Sequence, residues 1–144
     1  MKKVLLFLLV AGIVGGLIGY KMWNKPHQDM ASAKAEIAIA AGALFGEFDQ
    51  NEEAANAKYL SKGANGEDKV IALTGTVKNV ETAGSTVVYL EAGGTENEIS
   101  AELNADAKPA PRTDFKAGEQ VTFKCTCTGK NMFTLEMKNC VEVK

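Results

Sequence analysis

The hydrophobic pattern changes character twice along this chain. From Val4 to Tyr20 no charged residue interrupts, and apolar side chains fall on every side of a helix rather than along one stripe. From Met30 to Ala57 the sequence is rich in alanine and glutamate, and Ile37, Ala41, Leu44, Phe45 and Phe48 recur at helical spacing. From Lys69 onward the period is two, with β-branched residues and glycine-bearing turns.

The first segment reads as a membrane helix. Val4–Tyr20 supplies 17 residues, and Met22-Trp23 bring the run to the lower end of the roughly 20 residues a span needs. Lys2-Lys3 precede it; Tyr20, Lys21, Trp23 and Lys25 follow at headgroup depth. Gly12, Gly15, Gly16 and Gly19 match the small-xxx-small spacing by which two membrane helices approach, so a homodimer through the anchor is one expectation. The rival is a cleaved signal peptide. Val14-Gly15-Gly16 fits a cleavage site but lies inside the apolar run, whereas Ala31-Ser32-Ala33 fits better but lies well past it. No cysteine stands near the segment, which excludes a lipoprotein anchor. The expectation is an uncleaved single-pass anchor in the inner membrane, N-terminus inside, with the remainder in the periplasm or otherwise outside the cytoplasm.

Lys25-Pro26-His27 breaks the helix and opens a linker. Within the Met30–Ala57 stretch the Ile37–Phe48 stripe predicts a helix, which Asp49-Gln50-Asn51 interrupts. A second, short helix over Glu52–Lys58 is capped by Asp49, with Glu52-Glu53 at its positive end. Strands follow at Val70–Val80, Thr86–Glu91, Glu98–Leu103, Gln120–Thr128 and Met132–Met137 with Val141 and Val143. Ile71, Leu73, Gly75 and Val77 share a face; Val80 breaks that parity, which predicts a bulge near Lys78-Asn79. Gly129-Lys130-Asn131 reads as a turn. Five short strands, the first long and bulged around a glycine, predict a five-stranded OB-fold barrel. The fold class is mainly β with short N-terminal helices. The chain divides into an anchor (residues 1–25), a linker with helices (26–62) and the barrel (63–144).

Charge narrows the partners. The chain holds 16 basic and 18 acidic residues. Four of the basic ones, Lys2, Lys3, Lys21 and Lys25, flank the apolar run, leaving 12 against 18, a charge of −6, for the rest. A domain that tracks a phosphate backbone carries the opposite sign.

Several runs resemble those of a known family. They are Asn24-Lys25-Pro26-His27, Ala43-Leu44-Phe45 with Phe48, Ala57-Lys58-Tyr59-Leu60 and Thr74-Gly75-Thr76-Val77 with Val80. Ala117-Gly118-Glu119-Gln120-Val121-Thr122, Cys127-Thr128-Gly129 and Asn139-Cys140-Val141 complete the set. In order and spacing they resemble the tRNA_anti-like proteins of bacteria, common in Bacteroidetes. The resemblance implies an OB fold behind one N-terminal membrane or lipid anchor. In that family a cysteine is frequent on the third strand, where this chain has Ser100-Ala101, so no cysteine pairing is carried over.

Cys125, Cys127 and Cys140 permit one disulfide and one thiol. Strand parity turns Cys125 and Cys127 inward. Cys127–Cys140 is the preferred pair and Cys125–Cys140 the alternative, with the third cysteine packed as a small hydrophobe. No metal site is expected, since zinc wants a fourth ligand and the only histidine is His27, beside the anchor. No paired carboxylates, nucleophile–base set or phosphate-cradling glycine loop is present, so neither a catalytic residue nor a cofactor is assigned. The candidate binding surface, by fold analogy, is the second and third strands (Tyr89, Glu91, Glu98, Ser100, Glu102) with the Asn104–Arg112 loop. The function this predicts is a non-enzymatic binding or scaffolding module of the cell envelope. Its partner is an envelope protein, peptide or glycan. The alternative is an OB domain for single-stranded nucleic acid, which Tyr89 as the lone aromatic and the scattered Lys78, Lys124 and Lys130 disfavour.

Overall fold

A computed structural model describes residues 2–23, 28–64 and 66–143. Side chains of residues 2–10 and of Met22 lie outside the description, as do Lys25, Pro26 and His27, where the linker break and the lone histidine were placed. Helix α1 runs Lys2–Trp23. Its described side chains are exposed, among them Ile13, Leu17, Ile18, Tyr20 and Trp23, and a Cβ added at Gly12, Gly15, Gly16 or Gly19 meets nothing within 4 Å. Among the described residues no helix is long and apolar enough to cross a membrane.

The remaining elements are β1 (Ile37–Ala40), α2 (Ala41–Gln50), α3 (Glu52–Tyr59), β2 (Ile71–Glu81), β3 (Val87–Glu91), β4 (Glu98–Leu103), β5 (Gln120–Asn131) and β6 (Thr134–Glu142). The sheet order β1-β2-β3-β4-β6-β5, with β5 pairing back to β2, closes a five-stranded barrel. β4 and β6 run parallel and the other barrel pairs antiparallel. One long strand serves both seams: the first half of β2 pairs with β5 and the second half with β3. The register slips between Val77 and Asn79, so the parity break at Val80 is a bulge. It sets Val80 opposite the buried Val88.

Gly75 is where the barrel needs no side chain. A Cβ there would lie 2.9 Å from the Ala41 Cβ and 3.3 Å from the Leu90 Cβ. The first turn of α2 occupies that space and lays Leu44, Phe45 and Phe48 across the barrel's end, each at most 3% exposed. Burying three side chains of this size contributes about 2 kcal/mol each. Phe48 stacks on Tyr59 of α3 with ring centroids 5.8 Å apart. The cap of α3 is Asn51, not Asp49: its side chain accepts from the Ala54 amide at 3.0 Å. Asp49 instead receives the Lys130 ammonium at 2.7 Å. Helices α2 and α3 and the barrel interior form one core.

Two expectations are corrected here. Ile37 is not helical. It opens β1, which pairs parallel to β2 with Ile37 opposite Ile71 and Ile39 opposite Leu73. Ile37-Ala38-Ile39-Ala40 alternates at period two, and an edge pairing 34 residues away overrides the helical spacing to Ala41. Gly129 does not begin a turn either. It sits at φ 126° inside β5, at a second register slip between Cys127 and Gly129. The strand continues to Asn131, which pairs with Thr134, so the reversal is the two residues Met132 and Phe133.

Candidate binding surface

The barrel interior is filled. Leu73, Val77, Leu90, Ile99, Phe123 and Leu135 are all fully buried, so a ligand meets the outside of the wall. Alternation along β3 and β4 turns Tyr89, Glu91, Glu98, Ser100 and Glu102 outward. Register brings them together: Tyr89 lies opposite Ser100, Glu91 opposite Glu98, and Val87 opposite Glu102. β6 adds Glu136 beside Ser100, and β2 adds Asn79 beside Tyr89 and Glu81 beside Val87. Tyr89 donates its hydroxyl to Glu81 at 3.1 Å. Partial burial, then that carboxylate, raises the phenol pKa, so Tyr89 stays neutral. Lys78 pairs with Glu98 at 3.0 Å. The patch is one aromatic and one hydroxyl in an acidic field.

Arg112 lies elsewhere. It is on the loop before β5, clasped to Glu142 near the far end of β6, about 25 Å along that strand from the Glu98 row. Its Nε and Nη2 donate to Glu142 at 2.8–3.1 Å, and Nη2 also donates to Glu119. Asp114 stands 3.5 Å away, and the guanidinium lies 4.0 Å over the Phe115 ring. Glu142, then Glu119, raises the guanidinium pKa further, and Arg112 in turn lowers that of Glu119. This is a fixed fork that fastens the Asn104–Arg112 loop. Beside it opens a cleft of about 320 Å³ lined by Pro109, Pro111, Arg112, Lys124 and Val143. Lys124 spends its ammonium on the carbonyls of Ala33 (2.8 Å) and Ala31 (3.3 Å).

The disulfide joins Cys125 to Cys140, with Cα atoms 4.3 Å apart, and not Cys127 to Cys140. The cause is a bulge on β6. Lys124 pairs with Val141 and Thr126 with Lys138, so Cys125 alone faces both Asn139 and Cys140. Asn139 takes φ 54°. Without that extra residue, alternation from Leu135 and Met137 would turn Asn139 inward and Cys140 outward. With it, Cys140 points into the core against Cys125. Cys127 lies opposite Met137 instead, and burial pushes its thiol up to about 11, which keeps it protonated and inert. Among the described residues no group of three His, Cys, Asp or Glu side chains is placed to hold a metal ion.

The feature missed from sequence is the hairpin tip. Met132 is 82% exposed and Phe133 58%. Met132 adopts φ 46°, a left-handed conformation that costs a residue with a bulky side chain about 1–2 kcal/mol. Two-residue loops favour Asn-Gly for this reason, so an apolar pair directly after Asn131 was the available signal.

No curated protein matches the sequence. The family model described as tRNA_anti-like matches residues 1–141. With that match over nearly its whole length and a closed barrel of OB topology beneath it, the chain belongs to the tRNA_anti-like family.

Proposed function

We propose that this protein is a non-enzymatic OB-fold binding module, anchored to a membrane by α1 and working on the outer side of the bacterial inner membrane. The observation that carries the reading is a barrel packed solid, with its polar outer wall (Tyr89, Ser100 and the surrounding glutamates) left for contact. Anchoring is supported by the uncharged run Val4–Tyr20 and by the exposed Ile13, Leu17 and Ile18 on α1. A compartment outside the cytoplasm suits the Cys125–Cys140 disulfide. The ligand class is a protein, peptide or glycan of the envelope.

The OB fold also invites single-stranded nucleic acid. Glu81, Glu91, Glu98, Glu102 and Glu136 share the wall with Tyr89, and a phosphate backbone laid there meets repulsion rather than counterion release. The test has two arms. A tag fused after Lys144 should pellet with membranes and be cut by protease added outside the cytoplasmic membrane. In mobility shifts the detergent-solubilised chain should leave single-stranded RNA and DNA unretarded at low salt. A cytosolic tag overturns the envelope role; salt-sensitive retardation replaces this function with the nucleic-acid one.

A further inference from the structure

The hairpin tip gives the binding reading a definite contact. We infer that Met132 and Phe133 form a knob that docks into an apolar pocket edged by Lys or Arg on a partner protein; this rests on the barrel's being a binding module. Three observations meet at the tip. Its two side chains are the large apolar groups most exposed on the barrel, at 82% and 58%. The tip is held, not loose: Asn131 pairs with Thr134, and the Glu98 amide donates to the Phe133 carbonyl at 3.1 Å. The collar around it is acidic. Glu98 lies opposite Thr134 and Glu91 opposite Glu98, and Glu96 stands between the two on the β3–β4 loop.

The nearby cations are already engaged. Lys78 is paired with Glu98, and Lys130 is turned beneath the tip onto Asp49 and the Phe45 ring. Glu91 and Glu96 are exposed and have no cation partner among the described residues. An apolar knob beside the uncompensated carboxylates of Glu91 and Glu96 is complementary to a greasy pocket with a basic rim. The same collar repels a phosphate chain and an anionic bilayer alike. Position also argues against lipid. The chain coming from α1 meets the barrel at Gln28–Met30, beside Val141. Seven residues of β6, about 23 Å, separate Val141 from Thr134 at the tip. The knob therefore projects from the end opposite the chain's entry.

The test places a photoreactive benzoylphenylalanine at Phe133, and separately at Tyr89, in the full chain in intact cells. Adducts are digested and the attachment sites read by mass spectrometry. From Phe133 we expect one dominant protein adduct, attached within a few residues of Lys or Arg in an apolar segment. Glu91→Lys with Glu96→Lys should lower its yield at least about fivefold, as should Met132→Ser. Far-ultraviolet dichroism and melting of Met132→Ser should match the parent. Adducts to lipid, to a second copy of this chain or to an acidic segment overturn the inference. So does an adduct from Tyr89 with none from Phe133, which leaves the binding module standing without its knob. Silence at both positions removes the two together.

Discussion

Opening the Cys125–Cys140 link tests the register on which the whole β5–β6 seam depends. The half-cystines are 15 residues apart, and closing a loop of that size removes about 3 kcal/mol of chain entropy from the unfolded state. For a folded unit of roughly 115 residues, an unfolding entropy of about 2.1 cal/mol/K per residue turns 3 kcal/mol into a fall in Tm of about 12 °C. The measurement is near-ultraviolet dichroism of the detergent-solubilised full chain, oxidised and then reduced with dithiothreitol. Reduction keeps both sulfurs in place, so it isolates the cross-link from the cavity that alanine would leave. A Cys127–Cys140 loop would be only two residues shorter, and its entropy almost the same, so the size of the shift cannot tell the pairings apart. Cys127→Ala can: it should leave the disulfide and its reduction shift intact. In the native oxidised chain at pH 8, a thiol pushed up to about 11 is about one part in a thousand thiolate. Iodoacetamide should therefore label Cys127 only after unfolding. Peptide mapping that finds Cys127 bound to Cys140, or a Cys127→Ala chain that no longer responds to reduction, refutes the bulge at Asn139 as the cause of the pairing.

Two further outcomes follow from the packing. Gly75→Ala puts a methyl 2.9 Å from the Ala41 Cβ, and such overpacking should cost about 1–3 kcal/mol, read as a lower urea midpoint at unchanged m-value. Lys58 at 2.7 Å, then Tyr59 at 2.8 Å, holds the Glu47 carboxyl below the ordinary glutamate range. Its contribution to stability is therefore complete above about pH 5.5 and is lost as pH falls to and past the lowered native value. Glu47→Gln should flatten the acid limb of the stability curve in that window, and an unchanged limb would refute the pairing.

What could be read from sequence was what is local. Ile71, Leu73, Gly75 and Val77 alternate within one strand, and the break at Val80 located its bulge, because each strand's two faces are set by its own residues. The helical stripe of Leu44, Phe45 and Phe48 was legible for the same reason. What escaped depends on residues far apart or on a single backbone angle. Ile37 looked helical because its strand partner, Ile71, lies 34 residues on. The cysteine pairing turned on Asn139 adopting φ 54°. Arg112 looked like part of a binding loop; its clasp is set by Glu142, 30 residues away. Gly129 carried a turn signal, yet it serves a bulge, and the true reversal fell on Met132 and Phe133, residues that no turn propensity favours.

The attachment of the chain's entry segment has a mechanical consequence. Met30 is 1% exposed and Lys124 grips the carbonyls of Ala31 and Ala33. Held at Met30, Ala31 and Ala33, the entry segment is thus fastened to the barrel itself. Tension applied to the chain at Gln28 is delivered to β5 through Lys124.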